Sequence, residues 1–118
     1  MTRNKADLLN LVALVAKTRS GELTCVQVAC RYIENIEANR NLNAFIHFNR
    51  DSVLEQARRL DAATNRGRLH GVPLIIKDSI HVRNMPNTAG SAALKHFVPK
   101  EDADVVHKND SILNLINL

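Results

Sequence analysis

The run Leu69–Ile80, "LHGVPLIIKDSI", drives Leu74, Ile75 and Ile76 directly into Lys77. A lysine with an ordinary pKa of about 10.4 keeps its proton at neutral pH and cannot act as a base. Burial penalises the charged form and lowers that value, so a lysine ending an apolar strand is a candidate general base of the kind Ser–Lys hydrolases use. The competing reading is a strand end that snorkels to water or pairs with the adjacent Asp78. Position alone favours this second reading, because a lone perturbable lysine is only a weak pointer to a site. Three serines follow, Ser79, Ser91 and Ser111, and Ser79 would share a face with Lys77 if the strand ran on. None of them sits in a glycine-rich turn able to offer an oxyanion hole.

Other chemistry-bearing residues are less promising. Cys25 and Cys30 lie five apart on a predicted helix, which is neither a redox Cys-x-x-Cys nor a zinc pair and points the two side chains apart. Both are expected as reduced, structural thiols. The histidines, His47, His70, His81, His96 and His107, show no metal-ligand spacing, and neither a metal nor a cofactor is expected. The net charge of +4 raises nucleic-acid binding, yet Arg58–Arg59 is the only adjacent basic pair and no basic stretch is interleaved with stacking aromatics. A weakly basic solvated surface is the better reading, with no nucleic-acid partner.

The elements that must position Lys77 can be read from periodicity. At 118 residues the chain fits one domain with a modest core, which must rest on Leu, Ile, Val and Ala because aromatics make up only 3%. No apolar run reaches a membrane-spanning length. The N-terminal stretch is interrupted by Asp7 and Asn10 and lacks a small-residue cleavage site, so it reads as an amphipathic helix, and a cytoplasmic location is expected. That first helix covers roughly Lys5 to Lys17, with Leu8, Leu11, Val12 and Val15 on one face. Thr24 and Gln27 form a capping box for a second helix, whose Val26, Ala29, Ile33 and Ile36 make a stripe. Ala44–Phe48 is predicted as a short strand, and Ser52 with Glu55 as a capping box for a third helix ending near Thr64. Pro73 suits a strand start, and Leu74–Ile76 reads as a strand covered on both faces, giving a parallel βαβ unit with Ala44–Phe48. Beyond Lys77 the pattern is loop-like, with a short helix near Ser91 and another helix start at the acidic residues 101–104.

The neighbours of Lys77 change its standing. The stretch from Leu69 to Leu94 closely resembles the N-terminal part of the amidase signature family of serine hydrolases. The resemblance is carried by Leu69, the Gly71-Val72-Pro73 turn, the apolar triplet, Lys77-Asp78, Met85-Pro86, Thr88 and Gly90-Ser91, followed by Phe97-Val98-Pro99. Upstream, a helix running into Leu42-Asn43-Ala44-Phe45 matches as well, so the similarity spans roughly Thr24 to Val106, with 107–118 a divergent tail. It implies an α/β fold in which this chain supplies the N-terminal helices and first strands of an amidase-type mixed sheet, a single partial domain over residues 1–118. It also implies that Lys77 is the base of a Ser–cis-Ser–Lys triad that hydrolyses the C–N bond of a linear carboxamide through a serine acyl-enzyme, with Thr88, Gly90 and Ser91 in a supporting loop.

Here the chain departs from the pattern. The Gly/Ser-rich stretch that carries the nucleophile and the cis serine has no counterpart among these residues, whose last glycine is Gly90. The expectation is a base without its nucleophile, inactive alone. A central-type strand left with an open edge would favour self-association or binding of a complementing polypeptide, a non-catalytic alternative. The tail from Ser111 to Leu118 is apolar enough to cover that edge.

Overall fold

The computed structural model describes residues 10–107 and 116–117. Helix α1 runs Leu11–Ser20, helix α2 Cys25–Ala38 and helix α3 Arg50–Ala62. A two-residue strand β1, Pro73–Leu74, pairs in parallel with β2, Ile116–Asn117.

α2 begins where the sequence places it. The Thr24 hydroxyl accepts the Gln27 N–H at 3.0 Å, and the Gln27 side chain accepts the Thr24 N–H at 2.9 Å, closing the reciprocal box. α1 is capped by Asn10, whose side chain accepts from the Ala13 N–H, and it stops at Gly21, which takes the left-handed conformation at φ 81°. The face predicted for this helix is wrong by about one position. Leu14 and Thr18 are buried, whereas Leu11 and Val12 are exposed. The beginning of the predicted helix, with Leu8, lies outside the described residues.

α3 starts earlier than Ser52. Asn49 is its cap, accepting the Ser52 N–H at 3.0 Å, which sets Asp51 in the first turn where a carboxylate suits the helix dipole. The stripe itself matches its spacing: Val53 and Ala57 meet Cys25, Ala29 and Ile33 of α2 in the main core, with Leu60 at its margin. A second, smaller cluster joins Leu14 of α1, Val28 of α2 and Val72 just before β1.

Ala44–Phe48 forms no strand. Phe45 and Phe48, three apart, pack on the main core with ring centroids 6.0 Å apart, while Ile46 between them is exposed. A spacing of three on one side replaces the alternation a strand needs, so the βαβ unit does not form. The second predicted strand is cut to Pro73–Leu74, and Ile75, expected to be covered, is 64% exposed. The first strands of a mixed sheet thus shrink, among the described residues, to one short parallel pair. The edge of β1, for which the sequence offered the tail as a cover, is paired by Ile116–Asn117 of that tail, while Ser111 lies outside the described residues. Downstream, Ala92–Leu94 makes a single 3-10 turn after Ser91, and residues 104–107 are helical, both where anticipated.

Long-range polar contacts lock the layers. The Asp61 carboxylate, in the last turn of α3, accepts the N–H groups of Cys25 (2.6 Å) and Val26 (3.1 Å) at the start of α2. The Arg66 guanidinium donates to the Thr18 and Arg19 carbonyls at the end of α1, where a cation complements the helix dipole. The Thr18 hydroxyl donates to the His70 carbonyl at 2.7 Å, tying α1 to the turn that leads into β1.

Candidate active site

After Leu74 the chain leaves the sheet and bends. The Ile80 N–H donates to the Lys77 carbonyl at 2.9 Å, so Lys77 opens a turn rather than ending a buried strand. The lysine is exposed, as the reading that position alone favours has it, and is not an ammonium group held in the interior. It lines an open groove of about 280 Å³. Its lining is drawn from three stretches: Phe45–His47, Ile75–Ile80, and the loop residues Met85, Pro86, Ala89 and Gly90.

The loop Thr88–Gly90 is held by Asp78. Its carboxylate accepts the Thr88 N–H at 3.0 Å and a short bond from the Thr88 hydroxyl, and its carbonyl accepts the Ala89 N–H at 3.0 Å. The Thr88 hydroxyl oxygen in turn accepts the Gly90 N–H at 3.2 Å, and the Ser91 N–H donates to the Thr88 carbonyl at 2.8 Å. Ala89 and Gly90 both take positive φ, 48° and 74°, to turn the backbone back on itself. The hydrogen bonds from Thr88 hold the Asp78 carboxyl below its ordinary value of 3.8, so Asp78 is ionised and the clamp complete at neutral pH. Asp78 is therefore turned toward Thr88 and makes no ion pair with Lys77. No other carboxylate among the described residues lies within salt-bridge distance of Lys77.

Lys77 and Gly90, singled out from the sequence, share the groove, and Thr88 shapes it from behind through Asp78. Ser91 contributes its backbone N–H, and its side chain makes no cap to the following 3-10 turn. Ser79 also lines the groove, in the turn rather than on a continued strand, and is exposed. Sequence reasoning misses His47 and Phe45 as wall residues, because they come from the segment predicted as a strand. It also misses the clamp, whose partners are ten residues apart and carry no periodic signal.

A second polar pair lies away from the groove lining. Cys25 and His70 are both fully buried, with Sγ and Nε2 3.4 Å apart. Burial, reinforced by the neighbouring Asp61 carboxylate, pushes the Cys25 thiol up to about 12, and burial pushes the His70 imidazole down. This is an inert thiol beside a neutral ring, not an activated nucleophile. At pH 8, a thiol reagent is expected to label the half-buried Cys30 and leave Cys25 untouched until denaturant is added. Two thiols reacting in the folded chain would contradict the buried pair. Among the described residues no group of three metal-ligating side chains converges.

Residues 27–110 match the Amidase family, and this chain belongs to it. It is 39% identical over 110 residues to a glutamyl-tRNA(Gln) amidotransferase subunit of Streptomyces coelicolor, covering 87% of this chain and 22% of that protein. The corresponding subunit of Renibacterium salmoninarum is 41% identical over 105 residues, covering 85% and 20%. Among solved structures, the native peptide amidase of Stenotrophomonas maltophilia superposes with a TM-score of 0.84 at 31% identity, covering 97% of this chain and 24% of that one. The chain thus spans between a fifth and a quarter of the length of these relatives.

Proposed function

We propose that this chain supplies the lysine side of an amide-hydrolysing site, with Lys77 as the general base and the C–N bond of a carboxamide as its target. The observation that carries the reading is the unpaired Lys77 in the groove, its neighbour Asp78 being engaged by Thr88. A base must be free to exchange its proton, and a lysine locked to Asp78 would not be. In this reading the rest of an amidase domain covers Lys77, burial favours the neutral amine, and that amine takes a proton relayed through the cis serine from the nucleophilic serine. The activated serine then attacks the carboxamide carbon, ammonia or an amine leaves, and water clears the acyl-enzyme. The clamp from Asp78 to Thr88 and Gly90 fixes the Ala89–Gly90 part of the lining, so it shapes what enters the groove. The names of the relatives, a peptide amidase and one component of an amidotransferase, support an amide-bearing substrate. None of the described helices is long and apolar enough to cross a membrane, and a cytoplasmic setting forms part of the same proposal.

These 118 residues hold no Gly-Gly-Ser or Ser-Ser-Gly after Lys77, so they carry a base and neither triad serine. The purified chain is therefore expected to release no ammonia from simple carboxamides above the buffer rate. Turnover abolished by Lys77→Ala would overturn the inactivity while supporting the role of the lysine. Turnover indifferent to Lys77→Ala would overturn both.

A further inference from the structure

An apolar surface adjoins the Lys77 groove and has no occupant among the described residues. A second groove, of about 680 Å³, is walled by Tyr32 and Ile36 of α2, Leu42, Phe45, Phe48 and Ile75. Leu42 is 68% exposed and Ile75 64%, and Ile46, which lines the adjoining Lys77 groove, 69%. Three large aliphatic side chains this open, within one neighbourhood, make a patch that a lone domain seldom presents to water. The two grooves adjoin, since Ala44, Phe45 and Ile75 line both.

We propose that this groove is the seat of the remaining part of an amidase-type domain, and that its occupant borders Lys77. The occupant is argued from chain length. This chain matches the peptide amidase over 97% of itself and keeps its shape at a TM-score of 0.84, while about three quarters of that fold has no counterpart here. A piece that holds its conformation presents to the missing portion the surface which that portion covers. The seat is the groove rather than the β1 edge where β2 lies, because Ile116–Asn117 already pairs there. A segment packed on Leu42 and Ile75 emerges beside Ile76 and Lys77, where the Gly/Ser-rich turn of the proposed site is needed. The inference rests on family membership and on the groove, and it does not depend on Lys77 acting as a base.

The test is co-expression of the tagged 118-residue chain with the portion of the Streptomyces coelicolor relative that lies beyond the matched region. Recovery of a soluble one-to-one complex is expected. Leu42→Glu and Ile75→Glu, and the milder Leu42→Gln, are expected to weaken it about tenfold or more, as loss of a buried anchor does. Val12→Glu on α1, at a residue 79% exposed and outside both grooves, is expected to leave it intact. Circular dichroism of each variant alone checks that the fold survives. Failure to recover a soluble complex with the unaltered chain would overturn the proposal. So would a complex indifferent to the groove substitutions, or groove-dependent pairing of this chain with itself in place of the complex. A complex that survives Lys77→Ala but shows no amide turnover in either form would retain the seat and count against the catalytic reading.

Discussion

Gly71→Ala is expected to lower stability by about 2–4 kcal/mol, the sum of a strained backbone and an overfilled core. Gly71 sits at φ +75°, a conformation an alanine adopts only at a cost. Its added Cβ would lie 2.7 Å from Cys25 Sγ and 3.3 Å from Thr18 Cγ2. Neither neighbour can easily retreat. Cys25 is fully buried against His70, and Thr18 is fixed by its bond to the His70 carbonyl. For a domain of this size the loss should appear as a fall in Tm of roughly 10 °C or more. The double variant Gly71→Ala/Cys25→Ala separates the two causes. Relative to Cys25→Ala alone, Gly71→Ala should then cost only the backbone share, about 1 kcal/mol. A Gly71→Ala chain as stable as the original would mean that the turn into β1 is built differently.

Asp61→Ala is expected to cost about 2–3 kcal/mol, because it removes a charged acceptor from two backbone donors at a part-buried helix start. The first four N–H groups of α2 are all satisfied. Those of Cys25 and Val26 go to Asp61, that of Gln27 to the Thr24 hydroxyl, and that of Val28 to the Thr24 carbonyl. Deleting the carboxylate strands the first two against the main core. Asp61→Asn keeps one acceptor and loses the charge that the helix dipole favours, so it should recover roughly half of the loss. Urea denaturation of the three proteins measures the series. Equal stability of Asp61→Ala and the original chain would show that water replaces the carboxylate without penalty.

The contrast between Thr24 and Asp61 explains what can be read from the sequence. The Thr24–Gln27 box is local, three residues apart, and its signature is visible in any window that contains it. Asp61 caps the same helix from 36 residues away, and no pattern in its own neighbourhood announces this. The stripes of α2 and α3 are legible because helical spacing is itself the signal, and Cys25, Ala29, Ile33, Val53 and Ala57 meet accordingly. The strands are not, since a short apolar run records that residues want cover without saying what covers them. The run Leu74–Ile76 predicts a strand wrapped on both faces, and Ile75 instead stands open. At the site, family resemblance locates Lys77 and Gly90, which share one groove. The Phe45–His47 part of the same lining depends on tertiary packing overriding a β-favouring composition.

The bond from Thr18 to His70 has a kinetic consequence. It joins residues 52 apart, with both α2 and α3 lying between them in the chain. Such closures become favourable only after α2 and α3 have docked, because the chain must first give up the freedom of everything between. The approach to Lys77 is therefore set late, after the helix pair, which meets the Lys77 groove only through Phe45 and its neighbours. During synthesis, α1 waits for nearly half the chain to emerge before its anchor exists. A slow step in refolding, seen by a probe on α1 and absent from one on α2, would be the mark of that delay.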